Sequence, residues 1–287
     1  MKENIKFQPF NGPEHEAFQL DGGKAAALLI HGFPGTPNEM RPLAEVLHDA
    51  GWTVHAPLLP GFGAEFETLF DRDQTEWVES AAQALRTLQA DHQPVVLVGY
   101  SMGAAVALNV AATVDRAPNA LILLAPFWRL TLLEGWRRAL WPVLRVIFRR
   151  TKPFRNIDFD DPQVRQSMAD FMPDVDLDDP QVRRAIREQT VPARLLDQLR
   201  DLGRSAYRRA SRARVPTLIL QGMEDELVAP EQTRQLLQQM PCPLTYHEII
   251  ADHDLLNPEG QHWSAIRQGI FNFLSQIELS VLRGESC

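Results

Sequence analysis

The chain has 287 residues, 45% of them hydrophobic, which is enough for one large α/β domain or two ordinary ones. Its net charge is −8, and its two cysteines, Cys242 and Cys287, support neither a disulfide framework nor a zinc site. The longest charge-free apolar stretch lies near Ala117–Trp128, short of the roughly 20 residues of a membrane-spanning helix.

The opening MKENIKFQPFNGPEHEAF lacks the apolar region of a signal peptide, so a cytoplasmic protein is expected. Up to residue 126, apolar runs alternate with helical patterns. AAALLI (Ala25–Ile30), WTVHAP (Trp52–Pro57), VVLVG (Val95–Gly99) and ALILLAP (Ala120–Pro126) read as buried strands. Between the first two lies TPNEMRPLAEVLHDAG. Thr36, Pro37 and Glu39 predict a capping box with proline at the first helical position, and Gly51 predicts the stop. TEWVESAAQALRTLQA places Trp77, Val78, Ala81, Leu85 and Leu88 at helical spacing. Such alternation, with continuously apolar strands, predicts an α/β fold: a mostly parallel sheet with helices on both faces.

The alternation stops at Phe127 and resumes with VPTLILQG (Val215–Gly222). A helix over Pro230–Met240, the strand LTYHEII (Leu244–Ile250) and a helix from about Pro258 to Ile277 follow. The expected organisation is a core of residues 1–126 and 215–287, interrupted by an inserted helical lid over 127–214. Compact domains rarely hold a loop of that length without structure, and the insert shows no strand-like run. It carries 19 Lys and Arg against 12 Asp and Glu, a basic piece within an acidic body.

In the insert, Leu133, Trp136, Leu140, Val143, Leu144 and Ile147 recur at helical spacing among several arginines, and Pro142 divides the pattern into two short helices. Trp136, Leu140 and Leu144 are the lid positions expected to meet substrate. Apolar and basic residues together also predict weak contact with an anionic membrane surface. Nucleic-acid binding is opposed by the acidic body and by the lack of a matching motif. IDFDDPQVR (Ile157–Arg165) recurs as VDLDDPQVR (Val175–Arg183). Asp161–Pro162 and Asp179–Pro180 read as two N-caps, each followed by a first helical proline.

VVLVGYSMGAAVAL places Ser101 between Gly99 and Gly103, after a valine-rich strand and before an alanine-rich helix. This is the context of a nucleophile elbow, a sharp turn that holds a serine oxygen above the carboxyl edge of a sheet. A serine needs a base to take its proton. Among eight histidines, His253 lies in ADHDLLNP, past the last strand, where it can reach that edge. The base needs a carboxylate to fix its tautomer. Asp225, in the MEDELVAP turn, completes the order Ser…Asp…His, with Glu224 and Glu226 as the competing acids. For a developing oxyanion, the amides of Phe33 and Met102 are the expected donors; Pro34 has none. Gly32 and Gly35 keep that loop thin enough for substrate to approach, and His31 reads as its scaffold. No metal or organic cofactor is called for.

LLIHGFPGTPNEMRPLAEVL, HAPLLPGFG, TEWVESAAQAL, VGYSMGAAVAL, LILQGMEDELV and ADHDLL occur in this order over most of the body. With these segments the chain resembles the α/β-hydrolase superfamily, and within it the bacterial carboxylesterases related to monoacylglycerol lipase. The resemblance implies a Ser101–His253–Asp225 triad and an oxyanion hole at Phe33 and Met102. It also implies hydrolysis of a small-molecule carboxylic ester, short- to medium-chain or monoacylglycerol-like. Thioester, C–C bond and lipase-like hydrolysis on the same fold are the alternatives; a complete triad disfavours a non-catalytic binding protein. Such relatives usually carry Gly-His-Gly where this chain has Gly61-Phe62-Gly63, so Phe62 is expected to alter the pocket. The arginine-rich insert matches no motif of the family.

Overall fold

The computed structural model describes residues 9–130, 141, 149–162, 164–165, 168, 172, 174–241 and 244–283. Among these residues there are nine strands: β1 (Phe18–Leu20), β2 (Ala26–Ile30), β3 (Thr53–Ala56), β4 (Val95–Tyr100), β5 (Ala120–Leu124), β6 (Arg150–Thr151), β7 (Val191–Pro192), β8 (Thr217–Gly222) and β9 (Leu244–Ile249). Seven of them form one sheet in the order β1-β3-β2-β4-β5-β8-β9. Every pairing is parallel except that of β1, which runs antiparallel along β3. β1 escapes a reading of periodicity because three residues are too few to show one.

The helices described are α1 (Arg41–Asp49), α2 (Gln74–Asp91), α3 (Met102–Ala111), α4 (Pro180–Glu188), α5 (Ala193–Arg209), α6 (Pro230–Leu237) and α7 (Trp263–Leu282). Side chains of successive strand residues point to opposite faces. Ala26, Leu28, Ile30, Leu97, Leu121, Leu123 and Ile219 therefore pack with α2, α3 and α5 on one side. Ala27, Leu29, Val96, Val98, Ile122, Leu124, Leu218 and Leu220 pack with α1 and α7 on the other. A continuously apolar strand is the one pattern that suits a sheet covered on both faces.

The capping box expected at Thr36 and Glu39 does not form. Pro37–Met40 is a 3-10 turn whose N-cap Thr36 makes no capping bond. The Thr36 hydroxyl is instead 2.8 Å from Nδ1 of His15, and the Glu39 carboxyl accepts the amide of Gly32. Tertiary partners have taken both side chains. A capping box does open α2, where Asp73 accepts from the amide of Thr75 and Glu76 returns to the amide of Asp73 at 2.8 Å.

The insert divides in two. Its last helix, α5, lies in the sheet's own core: Leu195, Leu199, Leu202 and Ala206 cluster with residues of α2 and α3. Asn109 of α3 ties it down, accepting from the Ser205 hydroxyl at 2.7 Å and donating to the Leu202 carbonyl at 3.3 Å. Farther out, Phe159, Met168, Met172, Leu177 and Ile186 form a small core of their own. β6 and β7 pair there as a two-residue antiparallel ladder, too short for sequence reading to detect. The two DDPQVR segments exchange ion pairs: Arg165 reaches Asp178 at 2.7 Å, and Arg183 reaches Asp160 at 2.8 Å. Asp179 caps α4 through the amide of Gln181, as its Asp-Pro pair predicts. Leu133, Trp136, Leu140, Pro142, Val143, Leu144 and Ile147 lie outside the described residues. No helix among the described residues is long and apolar enough to cross a membrane.

Candidate active site

Ser101 joins β4 to α3 with φ of 53°, a left-handed conformation that costs a non-glycine residue about 1–3 kcal/mol. Its neighbours leave no alternative. A Cβ at Gly99 would stand 2.6 Å from the Ala104 Cα, and one at Gly103 would stand 2.6 Å from the His31 carbonyl oxygen. The Ser101 amide donates to the Leu124 carbonyl at 2.8 Å, and the Ser101 carbonyl accepts from Phe127 at 3.2 Å. The hydroxyl is thereby fixed at the N-terminus of α3, where the helix dipole favours negative charge.

His253 follows β9. Its Nε2 is 3.0 Å from Ser101 Oγ, and its Nδ1 is 2.8 Å from Asp225 Oδ2. Tyr100 positions the loop from below: its hydroxyl donates to the His253 carbonyl at 2.9 Å, and the two rings lie 5.3 Å apart. Burial pushes the Tyr100 phenol above its usual range, so it remains a donor.

Asp225 has a fully buried side chain. Oδ1 accepts from the amides of Leu227 and Val228, and Oδ2 accepts from Gln221 Nε2 as well as facing His253. Gln221 is itself buried, and its Oε1 accepts from the Thr233 hydroxyl at 2.6 Å. Glu224 and Glu226, the competing acids of the same turn, are exposed. The fold therefore brings one of the three carboxylates to the histidine.

Gly32, Phe33 and Met102 line the pocket beside Ser101. His31 sets the direction of the Phe33 amide. Burial pushes this imidazole down to about 4, so it is neutral at pH 7. Its Nδ1 donates to the Gly32 carbonyl at 2.9 Å, while Nε2 accepts from the Leu59 amide at 3.1 Å. The Gly32 carbonyl and the Phe33 N–H belong to one planar peptide and point opposite ways, so holding the carbonyl turns the N–H away from His31. Phe62 is fully buried with its ring 4.9 Å from His31 and 5.8 Å from Trp77. It backs the loop and is not among the residues that line the pocket.

The pocket over Ser101 has a volume of about 490 Å³. Phe10, Phe127, Leu130, Leu199, Leu227 and Val228 supply its apolar wall, with Glu39 and Arg129 as charged members. Of the residues expected from the sequence, the structure brings Ser101, His253, Phe33, Met102 and Gly32 together at this pocket, with Asp225 behind His253. It missed Phe10 and Leu199, which reach the site from distant segments, and Glu39, which reads as a cap. Gln221 left a signal: a polar residue inside the otherwise apolar strand TLILQG needs a buried partner. Elsewhere, Glu14, His15 and Asp174 bring possible metal-ligand atoms within 4.8 Å of one another. The Asp174 carboxylate is already engaged by the amides of Asn11 and Gly12.

The sequence model of the family described as serine aminopeptidase, S33, matches residues 22–257. A thermostable monoacylglycerol lipase of Bacillus sp. (strain H-257) is 38% identical over 96 residues, 33% of this chain and 38% of that protein. A carboxylesterase of Bacillus subtilis (strain 168) is 31% identical over 98 residues, 34% of this chain and 40% of that protein. The matched segment thus spans about two-fifths of each of these relatives. A structure reported with the metagenome-derived lipolytic enzymes LipS and LipT aligns at TM-score 0.69 and 21% identity, over 93% of this chain and 99% of that one. The monoacylglycerol lipase of Paleococcus ferrophilus aligns at TM-score 0.66 and 18% identity, over 91% and 98%. At such identities the structures establish the fold: a mostly parallel α/β-hydrolase sheet flanked by helices.

Proposed function

Since the chain belongs to the serine aminopeptidase S33 family of α/β hydrolases, we propose that it hydrolyses carboxylic esters through an acyl-enzyme intermediate. The observation that carries this reading is the continuous relay Ser101–His253–Asp225, at 3.0 Å and 2.8 Å, on the floor of a largely apolar pocket. His253 takes the Ser101 proton as Oγ attacks the ester carbonyl. Asp225 holds the resulting imidazolium, and the amides of Phe33 and Met102 receive the oxyanion. The C–O bond then breaks, and the alcohol leaves with the proton from His253. Water, deprotonated by the same histidine, attacks the acyl-enzyme and releases the acid and free Ser101.

The apolar wall favours an acyl chain of short to medium length or a monoacylglycerol-like ester. The Bacillus relatives described as a monoacylglycerol lipase and a carboxylesterase support this substrate class. In this reading residues 127–214 act as the lid. Phe127 and Leu130 at its start and Leu199 of α5 contribute pocket wall. The basic part of the lid gives weak contact with anionic membrane surfaces.

The test is a panel of p-nitrophenyl esters of increasing chain length beside an acyl-CoA and an amide, joined to labelling by a fluorophosphonate. Ester turnover should dominate the panel, and the adduct should fall on Ser101. Labelling of another serine, or undiminished ester turnover by Ser101→Ala, overturns the assignment.

A further inference from the structure

Glu39 is a titratable group of the pocket for which the ester mechanism has no role. It lies on the 3-10 turn Pro37–Met40, directly after the oxyanion loop, and is part-buried with its carboxyl on the pocket. Oε1 accepts the amide hydrogen of Gly32. A Cβ at Gly32 would stand 3.2 Å from Glu39 Oε1 and 3.3 Å from Ser101 Cβ, so the carboxyl and the nucleophile flank the same glycine. A Cβ at Gly35 would collide with the same carboxyl. Glu39 therefore fills the inside of the Gly32–Gly35 turn, and Phe33 rides between those two glycines.

The charged surroundings are defined. Asp254, from the loop after β9, acts on Glu39 through its negative charge, and the Tyr100 phenol lies close enough to feel Glu39 in turn. His253 and Arg129 share the pocket. His31, on the far side of Gly32, is neutral. Burial pushes the Glu39 carboxyl up to about 8; Asp254 adds to the rise, and the Gly32 hydrogen bond offsets part of it. Burial therefore favours the uncharged acid near neutral pH. It can accept from Gly32 without setting a negative charge beside a forming oxyanion.

We propose that Glu39 is a positioning residue of the oxyanion loop with an alkaline off-state: uncharged, it braces Gly32 and the Phe33 amide, and on losing its proton it opposes the oxyanion and slows acyl transfer. The proposal rests on the ester-hydrolase reading above. A like charge about 8 Å away, at an effective dielectric near 20, slows oxyanion formation by roughly 30-fold.

The experiment is a pH profile of kcat and KM for p-nitrophenyl butyrate, corrected for background hydrolysis, in wild type, Glu39→Gln and Glu39→Leu. Wild-type kcat should fall roughly 30-fold on passing above pH about 8. Glu39→Gln keeps an acceptor for Gly32 but has no charge to gain, so its kcat should hold level above pH about 8. Glu39→Leu loses the brace, and its kcat should drop at every pH by roughly 10-fold or more, with KM moving less. Thermal unfolding checks that each variant is folded. Infrared difference spectra read the group without turnover: a protonated carboxyl band should disappear near pH about 8 in wild type and be missing from Glu39→Gln. A level wild-type profile, the same alkaline fall in folded Glu39→Gln, or no carboxyl titrating in that range overturns the proposal. If Ser101 takes no fluorophosphonate at any pH, it is the ester-hydrolase reading that fails. If Ser101 is labelled and turns over esters without a Glu39-dependent fall, only the role of Glu39 fails.

Discussion

Gln221 donates its side-chain amide to the same oxygen of Asp225, Oδ2, that faces His253: the two contacts measure 3.1 Å and 2.8 Å. Thr233 holds Gln221 in turn at 2.6 Å. A single run of side chains, Thr233–Gln221–Asp225–His253–Ser101, thus crosses from α6 to the elbow.

Gln221→Leu should leave the Thr233 hydroxyl and the Asp225 oxygen short of a partner in a buried site. Leaving such groups unsatisfied costs about 1–3 kcal/mol each, read by urea unfolding. With one donor fewer, the Asp225 carboxylate becomes more basic and stabilises the His253 imidazolium better. The acid limb of the kcat/KM profile should therefore move to higher pH. Wild-type stability together with an unmoved acid limb would show that Gln221 does not tune the triad.

Asp225→Asn should lower kcat by about 10⁴-fold in a folded protein, because an asparagine stabilises the wrong histidine tautomer. Glu224→Gln and Glu226→Gln should stay close to wild type, since both side chains are exposed and only Asp225 reaches Nδ1 of His253. A large loss in either glutamine variant, with Asp225→Asn active, would reassign the acid.

The apolar wall should show in chain-length selectivity. Each methylene buried is worth about 0.8 kcal/mol, so kcat/KM should rise roughly fourfold per carbon until the pocket is full. Leu130→Ala and Leu199→Ala, which truncate opposite ends of the insert where it lines the pocket, should flatten that rise and leave acetate hydrolysis nearly intact. Leu199 also packs in the main core, so its alanine variant should lose about 2–5 kcal/mol of stability as well. An unchanged chain-length profile in both folded variants would remove the insert from the acyl site.

Stability should depend on pH in two opposing ways around Gly32. His31 titrates at about 4 in the fold against 6.5 in the unfolded chain. Between these values only the unfolded chain binds the proton, so stability falls with falling pH by about 1.4 kcal/mol per unit. Glu39 titrates at about 8 against 4.5. There only the native state keeps the proton, so stability falls as pH rises, by a similar slope. From pH about 4.5 to 6.5 the two should nearly cancel in wild type. His31→Gln should unmask the decline toward high pH, and Glu39→Gln the decline toward low pH. Urea unfolding across the pH range checks both; parallel curves for all three proteins would contradict the two assignments.

Local pattern was enough to read much of this molecule. VVLVG followed by YSMGAAVAL states a buried strand, a thin turn and a buried helix, and the serine between them has one conspicuous use. ADHDLL after the last strand and MEDELV after the one before it place a histidine and three acids at the same sheet edge. Each of these signals needs only neighbours in the chain, because strand periodicity, glycine spacing and turn residues are local properties.

The chain by itself determined the six parallel strands of the sheet, the elbow and the residue types of the relay; only the tertiary structure added β1 and decided which long-range partner each polar side chain took. Asp225 is distinguished from Glu224 and Glu226 because it alone is buried, against the amides of Leu227 and Val228 and the side chain of Gln221. Thr36 and Glu39 carry a capping signal, yet His15 and Gly32 outcompete the local backbone for them. Phe62 sits where a polar residue is expected to touch the pocket, and the fold turns it under the Gly32–Gly35 loop against His31 and Trp77. α5 shows the helical period of any amphipathic segment, and only its packing on α2 and α3 makes it part of the main core. A repeat of nine letters announces two similar helix starts, whereas the crossing of Arg165 to Asp178 and Arg183 to Asp160 exists only once the two copies face each other. Burial and charge compensation are summed over contacts between segments far apart in the chain, and no local pattern contains that sum.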